Sequence, residues 1–227
     1  MLVVILGIIL VLAAIFGPGL WARWVLARHS DPRPDFPGTG GELARHLLDE
    51  GGLAEIGVEI TGDGDHYSPD DKAVRLKPEH HDGTSLSAVA VAAHEVGHAF
   101  QDRDGYAPLS TRTRLVKALH PIQRIGAGVA MVGPILGAVT ASPVIGLVTL
   151  GAGILTMASS VVVHLVTLPV EFDASFARAL PLLDRGGYIP KRDLSAARRI
   201  LRACALTYVA GALASLLNLW RWIRYLR

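Results

Sequence analysis

The longest uncharged run in the chain sets the strongest limit on its fold. Residues 125 to 168 contain no Asp, Glu, Lys or Arg, and a helix needs about 20 apolar residues to cross a bilayer. The run therefore predicts a hairpin of two membrane spans, with its turn at Ala141-Ser142-Pro143. A chain that crosses twice returns to the side that it left. We therefore expect the segments before and after the run on the same side of the membrane.

Two further apolar segments lie at the ends of the chain. Residues 1 to 22 precede the first basic side chain, Arg23, whereas a secretory signal carries its positive charges before the apolar core. This order predicts a retained N-terminal transmembrane anchor. Residues 199 to 227 combine an apolar stretch with a basic tail, which predicts a C-terminal transmembrane helix, with a re-entrant or interfacial helix as the alternative.

The composition agrees with a membrane protein. Hydrophobic residues make up 51% of the chain, and the mean hydropathy is +0.38, both high for a soluble domain. The single cysteine, Cys204, excludes an internal disulfide and a cysteine metal site. The basic residues lie mostly in residues 23 to 124 and 178 to 202, too dispersed to indicate nucleic-acid binding. Because cytoplasmic loops of membrane proteins are rich in Lys and Arg, both stretches are expected in the cytoplasm.

The segment between the anchor and the hairpin, residues 23 to 124, contains a metal-binding motif. His94, Glu95 and His98 form the pattern H-E-x-x-H. Residues four apart on a helix share one face, so both imidazoles are able to bind one metal ion. Glu95 stands beside them, where a carboxylate acts as general base for an activated water. We expect a helix over residues 84 to 101 to carry the motif, outside the hydrocarbon because its uncharged part is too short to span.

A third ligand is expected from further along the chain, because hydrolytic zinc sites commonly combine two histidines with one carboxylate. Asp102 and Asp104 lie about one turn beyond the motif and would point away from the metal on a continuing helix. Glu171 follows the predicted hairpin, which returns it to the side of His94, so it is the better candidate. Asp173 is two residues further on and points in a different direction from Glu171 on the same helix. We therefore expect it, at most, to contact one of the metal-binding side chains.

The polar stretches predict a small α+β region around the motif. Thr39 and Glu42 have the form of a capping box at the start of a helix. Residues 58 to 61 and 73 to 76 alternate like short strands, which favours a small hairpin or an edge strand. Pro169 resists continuation of the preceding helix, so the segment from 169 to 198 is expected to start a new helix that carries the third ligand.

Three other side chains are candidates for contact with the site or the substrate. His66 and Tyr67 lie between the two predicted strands. They either form part of a surface turn or line the site and donate to the reaction intermediate. His164 is the only ionisable side chain within the uncharged run. Polar groups in such a run tend to face protein or water, so it either lines a route to the site or is a packed histidine.

Four motifs together resemble those of the YugP-like membrane zinc metallopeptidases of bacteria. The likeness extends from about residue 39 to residue 210, and the two metal-bearing motifs are specific in combination. The motifs are T-G-G-E-L-A-R from residue 39, D-H-Y-S-P from residue 65, A-A-H-E-V-G-H-A-F-Q from residue 92 and T-L-P-V-E-F-D-A-S from residue 167.

The resemblance implies a zinc peptidase of the gluzincin type. Its one zinc ion would be held by His94, His98 and Glu171, with Glu95 as general base. More distantly, the arrangement is similar to HtpX-type and CAAX-processing membrane proteases. In those proteases an acidic residue commonly follows the ligand glutamate by four positions, whereas this chain has Ser175 there.

The sequence thus predicts a mainly α, polytopic membrane protein with about four transmembrane helices and a small cytoplasmic, gluzincin-like α+β region carrying a short β-hairpin. The predicted function is a zinc metalloendopeptidase of the cell membrane, acting on peptides or membrane proteins from the cytoplasmic side. Its expected partners are the substrate and the lipid bilayer, without nucleic acid. Two alternatives remain: an intramembrane-cleaving zinc protease, with the motif inside a span, and a non-catalytic membrane scaffold with a closed metal site.

Overall fold

A computed structural model describes residues 2 to 207. Most of the predicted C-terminal transmembrane helix, within residues 199 to 227, lies outside this described part. The helices are α1 (Leu2–Arg28), α2 (Gly40–Glu50), α3 (Pro78–His81), α4 (Leu86–Arg103), α5 (Ala107–Thr140), α6 (Pro143–Phe172), α7 (Leu180–Arg185) and α8 (residues 194 to 207); the strands are β1 (Gly57–Ile60), β2 (His66–Ser68) and β3 (Ala73–Leu76). A π-helical turn, Asp173–Ala179, follows α6 directly, and a short 3-10 turn, Lys191–Asp193, precedes α8.

The chain forms two compact units. Among the described residues, the first unit contains the beginning of α1, up to Gly17, and Ser110–Thr167. The second unit contains Pro18–Leu109 and Leu168–Thr207. The boundary therefore falls inside α1 and again inside α6. The second unit holds the polar stretch before the apolar run as far as Leu109, and the predicted ligand-bearing stretch that follows the run.

The first unit consists of long apolar helices. α5 ends at Thr140 and α6 begins at Pro143, so they separate at the predicted turn, where Ala141 has a φ of 48°. Within the described residues, one helix, Pro143–Arg185, is long and apolar enough to cross a membrane. The apolar part of α5, residues 125 to 140, is shorter than the about 20 residues of a span. The prediction of about four transmembrane helices is therefore not confirmed.

α4 is the central helix of the second unit. Every residue from Leu86 to Gln101 is buried, and α2, α3, β2, β3, the π-helical turn and α7 all contact the helix. Its start agrees with the predicted one, because Ser85 caps it by accepting a hydrogen bond from the Ala88 N–H at 3.1 Å. The small side chains in its first half let the surrounding elements approach closely.

α2 packs along α4, from Ala88 near the start of α4 to Phe100 near its end, and the start of α2 confirms the predicted capping box. The Thr39 side chain accepts from the Glu42 N–H at 3.2 Å, and the Glu42 carboxylate accepts from the Thr39 N–H at 2.7 Å. Gly40 then permits the close approach of α3 and α4. A Cβ at this position would lie 2.3 Å from the carbonyl oxygen of His80 and 2.8 Å from that of Ala88.

The sheet differs from the predicted hairpin. Its strand order is β1-β3-β2: β1 pairs with β3 in parallel, and β2 pairs with β3 antiparallel. The two predicted strands do pair, but the hairpin between them is wrong because the intervening segment supplies β2 on the other side of β3. Tyr67 of β2 points into the core, with 7% of its surface exposed, so the alternative of a surface turn is also wrong.

α6 carries Glu171 without a break. The helix continues through Pro169 to Phe172 and passes directly into the π-helical turn, so the new helix predicted to start at Pro169 is wrong. Proline lacks a backbone N–H, but its fixed φ is compatible with a helix. Its neighbours, Leu168 and Val170, are not residues that favour a turn. The third predicted ligand therefore lies in the last turn of the apolar helix itself.

Candidate metal centre

Three side chains from two helices converge on one buried point. His94 and His98 lie one turn apart on α4, with ring centroids 4.8 Å apart. Oε2 of Glu171 lies 3.2 Å from Nε2 of His94 and 3.4 Å from Nε2 of His98. Their relative exposures are 4%, 6% and 1% for His94, His98 and Glu171. One ligand atom from each lies within 4.8 Å of the other two, which is the spacing of donors around a single ion.

The close approach of the two helices depends on Gly97. This residue stands between the two histidines on the face of α4 that meets the π-helical turn. A Cβ at Gly97 would lie 2.7 Å from the carbonyl oxygen of Ala174, a main-chain atom that is unable to rotate away. The missing side chain therefore lets the end of α6 bring Glu171 to the histidines.

The hydrogen bonds of Gln101 determine which nitrogen of His98 faces Glu171. The Gln101 amide nitrogen donates to the Val170 carbonyl and to Asp173, both at 2.8 Å. Since both partners are acceptors, the amide oxygen faces Nδ1 of His98, 2.9 Å away. Nδ1 therefore carries a proton, and Nε2 is the nitrogen that is left to bind a metal ion.

Ser175 orients His94 in the same way. Its hydroxyl donates to the carbonyl oxygen of Leu201 at 3.1 Å, and its oxygen lies 3.1 Å from Nδ1 of His94. Because the hydroxyl proton is engaged by a carbonyl, the serine oxygen accepts the Nδ1–H of His94. Nε2 of His94 is then the nitrogen that faces Glu171 and is left to bind a metal ion.

The donor set fits a bound cation. The two Nε2 atoms and a carboxylate oxygen face one another, and this arrangement needs positive charge between them, which a bound cation would supply. Oε1 of Glu171 is buried and has no hydrogen-bond partner within the described part of the chain, and an unpaired buried carboxylate oxygen is costly. Two neutral histidines and one glutamate are ligands that Zn²⁺ prefers, and three protein ligands leave a coordination position open.

The charges of the site act on one another. Burial by itself would raise the pKa of Glu171, but the facing imidazoles of His98 and His94 outweigh burial and lower this pKa. Burial would likewise lower the pKa of His98, but the charge of Glu171 outweighs it and raises this pKa. The carboxylate is thus held ionised at neutral pH, as a metal ligand must be.

Glu95 lies beside this group on α4 and is 6% exposed. Its pKa is raised, first by burial and then by the negative charges of Glu171 and Asp65, against the opposing effect of the two histidines. A carboxylate with a raised pKa takes up a proton more readily near neutral pH, which suits a general base.

The other predicted residues of the second unit make their hydrogen bonds to partners other than the three ligands. Asp173 contacts Gln101, which in turn contacts His98, so Asp173 reaches this ligand only through Gln101. Tyr67 donates its hydroxyl to Asp102 at 2.7 Å, beyond the motif on α4. Nδ1 of His66 lies 2.8 Å from the carbonyl oxygen of Gly64. The roles of Tyr67 and His66 toward a substrate stay predictions.

His164 lies on α6 within the first unit. Its suggested place along a route to the metal centre also stays a prediction.

Sequence reasoning missed the two residues that orient the histidines. Gln101 was treated only as the end of the motif helix, although its position three residues after His98 places it on the adjoining face. Ser175 was noted only as a departure from an acidic residue in more distant proteases. The structure shows that the serine hydroxyl makes the contact with His94 at that position.

This combination of an H-E-x-x-H helix and a glutamate from a second helix is the donor set of a zinc-peptidase type of metal centre. Comparisons with known proteins agree. The family described as "Putative neutral zinc metallopeptidase" matches residues 2–227. The chain is also 36% identical over 228 residues to the "Putative membrane protease YugP" of Bacillus subtilis (strain 168), covering 96% of this chain and 95% of that protein. No solved structure matches the chain.

The chain therefore belongs to this family of neutral zinc metallopeptidases. The family membership confirms the resemblance seen in the sequence motifs, and it implies zinc as the metal.

Proposed function

We propose that the protein is a membrane-bound, zinc-dependent metalloendopeptidase with one zinc ion. The observation that carries the proposal is the convergence of His94, His98 and Glu171, with ligand atoms within 4.8 Å of one another, beside the buried carboxylate of Glu95. Proteins with this donor set leave a coordination position for water and use the neighbouring glutamate as base.

His94, His98 and Glu171 would hold the ion. Zinc in such a site supplies Lewis acidity, which polarises a carbonyl group and lowers the pKa of water. Glu95 takes the proton of the attacking water and later gives it to the departing amine, so no covalent intermediate with the protein is needed. Burial of Glu95 keeps bulk water from competing for that proton.

The membrane part of the proposal is supported by the apolar helix Pro143–Arg185, which carries Glu171, and by the name of the Bacillus subtilis relative. We place the protein in the cell membrane as a multi-pass protein, with the metal centre on the cytoplasmic side because the basic residues of the second unit favour that side. Its substrates would be peptides or membrane proteins. The lipid bilayer is the other expected partner, and nucleic acid is not.

Two observations bear on the alternatives. An intramembrane-cleaving protease would carry its motif inside a membrane span, whereas α4 packs against α2, α3 and the sheet, and the candidate span among the described residues is a different helix. A scaffold with a closed site would need a fourth ligand, and among the described residues the metal-binding group has three members. Both observations favour the endopeptidase.

The test of the proposal is Glu95→Gln in purified, detergent-solubilised protein, with unfolded casein as a general substrate. Loss of the base lowers proteolysis by about 100-fold or more, while zinc content stays at the wild-type level because Glu95 is not a ligand. Glu79→Gln is the matched control, since the side chain of Glu79 is 63% exposed. Undiminished proteolysis by Glu95→Gln would refute the role of the base.

Orientation is tested separately with an alkaline phosphatase reporter fused after Arg124. The enzyme is active only outside the cytoplasm, so we expect an inactive fusion. An active fusion would place the metal centre on the outer side and would overturn the localisation while leaving the chemistry untouched.

A further inference from the structure

The π-helical turn after α6 carries an arginine that bridges two carboxylates. Nε of Arg178 donates to Oδ2 of Asp173 at 2.8 Å, and Nη1 donates to Oδ2 of Asp104 at 2.6 Å. The Arg178 side chain is 17% exposed, and its guanidinium lies 5.8 Å from the ring centroid of Tyr106. Asp104 caps the C-terminus of α4, so one side chain joins α4, which carries two of the ligands, to the π-helical turn that directly follows the third.

One oxygen of the Asp173 carboxylate links Arg178, through Gln101, to a metal-binding histidine. Oδ2 of Asp173 accepts from Arg178 and also from the amide nitrogen of Gln101, 2.8 Å away. Gln101 is completely buried, and its amide oxygen receives the Nδ1–H of His98. Three consecutive hydrogen bonds therefore connect Arg178 to His98.

This connection depends on the π-helical geometry. Asp173 and Arg178 are five residues apart, which is the hydrogen-bond spacing of a π-helix, so their side chains lie one above the other. In an α-helix, residues five apart point about 140° away from each other. An α-helical turn would bring only one of the two side chains to α4.

We propose that Arg178 is a positioning residue of the metal centre, acting through Asp173 and Gln101 on His98. The inference rests on the proposed zinc site and adds a residue whose hydrogen bonds go to Asp173 and Asp104 and not to the ligands. Arg178 neutralises the Asp173 carboxylate and aims it at the amide of Gln101. The amide is thereby held with its oxygen toward Nδ1, which keeps the lone pair of Nε2 directed at the ion.

Without Arg178, the Asp173 carboxylate and the Gln101 amide are no longer held in fixed orientations. The Asp173 carboxylate, whose side chain is 20% exposed, loses its counter-charge and turns toward water. The amide of Gln101 then keeps only the Val170 carbonyl as an acceptor, and it no longer holds His98 in a single orientation. The metal site weakens although every ligand is still present.

The experiment measures zinc affinity of the full chain in detergent by competition with a chromophoric chelator, together with the visible spectrum of the cobalt-loaded protein. We expect Arg178→Gln to weaken zinc binding by about 10- to 100-fold, the usual cost of losing a partner behind a metal ligand. It should also change the cobalt spectrum. Arg178→Lys should restore part of the affinity, because lysine keeps the charge but lacks the planar fork. Arg192→Gln is the matched control, since Arg192 is 74% exposed and contacts Asp35 at 3.2 Å.

A double-mutant cycle separates positioning from general stability. If Arg178 acts through Gln101, the variant with both Arg178→Gln and Gln101→Ala binds zinc no more weakly than Gln101→Ala alone. Independent additive losses would overturn the proposal, as would wild-type affinity and an unchanged cobalt spectrum in Arg178→Gln.

Two further outcomes are distinguishable. If Arg178→Gln fails to fold, Arg178→Lys and Asp104→Asn replace it, and normal zinc affinity in both would refute the proposal. If the wild-type chain itself binds no zinc, the proposed function fails, and the positioning role fails with it.

Discussion

Oε2 of Glu171 lies 3.2 Å from Nε2 of His94, although the two residues are 77 positions apart in the sequence. Between them lie the end of α4, all of α5 and nearly all of α6. The metal centre is therefore completed only when the end of α6 and the π-helical turn have packed against α4, a contact that lies within the second unit.

Replacing Glu171 with Ala should remove the metal. The two histidines would remain, but the site would lose its only carboxylate ligand and its counter-charge, so zinc content should fall well below one ion per chain. Elemental analysis of purified protein measures this directly. Glu79→Gln serves again as the control, and full zinc retention in Glu171→Ala would exclude Glu171 as a ligand.

Ser175→Ala should weaken zinc binding while leaving the fold intact. The substitution removes the acceptor of the His94 Nδ1–H, and loss of such a partner typically costs about 10- to 100-fold in metal affinity. Chelator competition gives the affinity, and the melting temperature reports the fold. Ser30→Ala removes a hydroxyl that donates to a backbone carbonyl at an exposed position and should leave zinc affinity unchanged.

Gly97→Ala should destabilise the protein, although alanine is normally the better helix former. The added methyl group would lie 2.7 Å from the Ala174 carbonyl oxygen and would force α4 and the π-helical turn apart. Such overpacking costs about 1 to 3 kcal/mol. Thermal unfolding in detergent measures it. Gly128→Ala on α5 is the matched control, because no atom lies within 4 Å of its added Cβ; equal stability of both variants would contradict the tight contact.

The pH dependence of stability should report on Asp65. Burial alone would raise its pKa, but its bond to His80 at 2.9 Å and the Lys77 N–H at 2.8 Å outweigh burial and lower the pKa. A lowered pKa means that ionised Asp65 stabilises the fold above its ordinary value of 3.8 and that this contribution is lost as the pH falls through the folded pKa.

Asp65→Asn should therefore lower the free energy of unfolding by about 1 to 3 kcal/mol at neutral pH, as expected for a hydrogen-bonded charge. The difference from wild type should shrink below about pH 4. Melting temperatures from pH 7 to pH 3 measure the effect. Asp63→Asn, in the same turn but exposed, should show no such trend, and a difference that persists at low pH would count against the assignment.

The motif helix was predictable because all its signals are local. The four-residue spacing of His94 and His98, the cap at Ser85 and the small side chains of α4 are visible in a short window of sequence. The proximity of Glu171 followed from the few carboxylates after the uncharged run. The structure brings these residues together, while their chemical roles stay predictions until the metal is measured.

The remaining features depend on contacts between distant segments. β1 pairs with β3 in parallel, and β2 lies on the other side of β3. A strand of three residues, such as β2, is too short to show a periodic pattern. Pro169 is an ordinary helix breaker in sequence reasoning, but α6 continues through it, because the fixed φ of proline is compatible with a helix. The π-helical turn likewise has no local signature. Gln101 and Ser175 became visible only when the hydrogen bonds of the histidines were known.

The continuity of α6 with the π-helical turn has one last consequence, for the lengths that the chain tolerates. Glu171 lies in the last turn of α6, and the helix passes into the π-helical turn at Asp173. Inserting one residue between Glu171 and Ala174 would rotate Glu171 by about 100° relative to the Ala174 carbonyl that packs against Gly97. We therefore expect this short spacing to tolerate neither an insertion nor a deletion while Glu171 remains a metal ligand. The packing of the turn and the direction of the carboxylate are inherited as a single quantity.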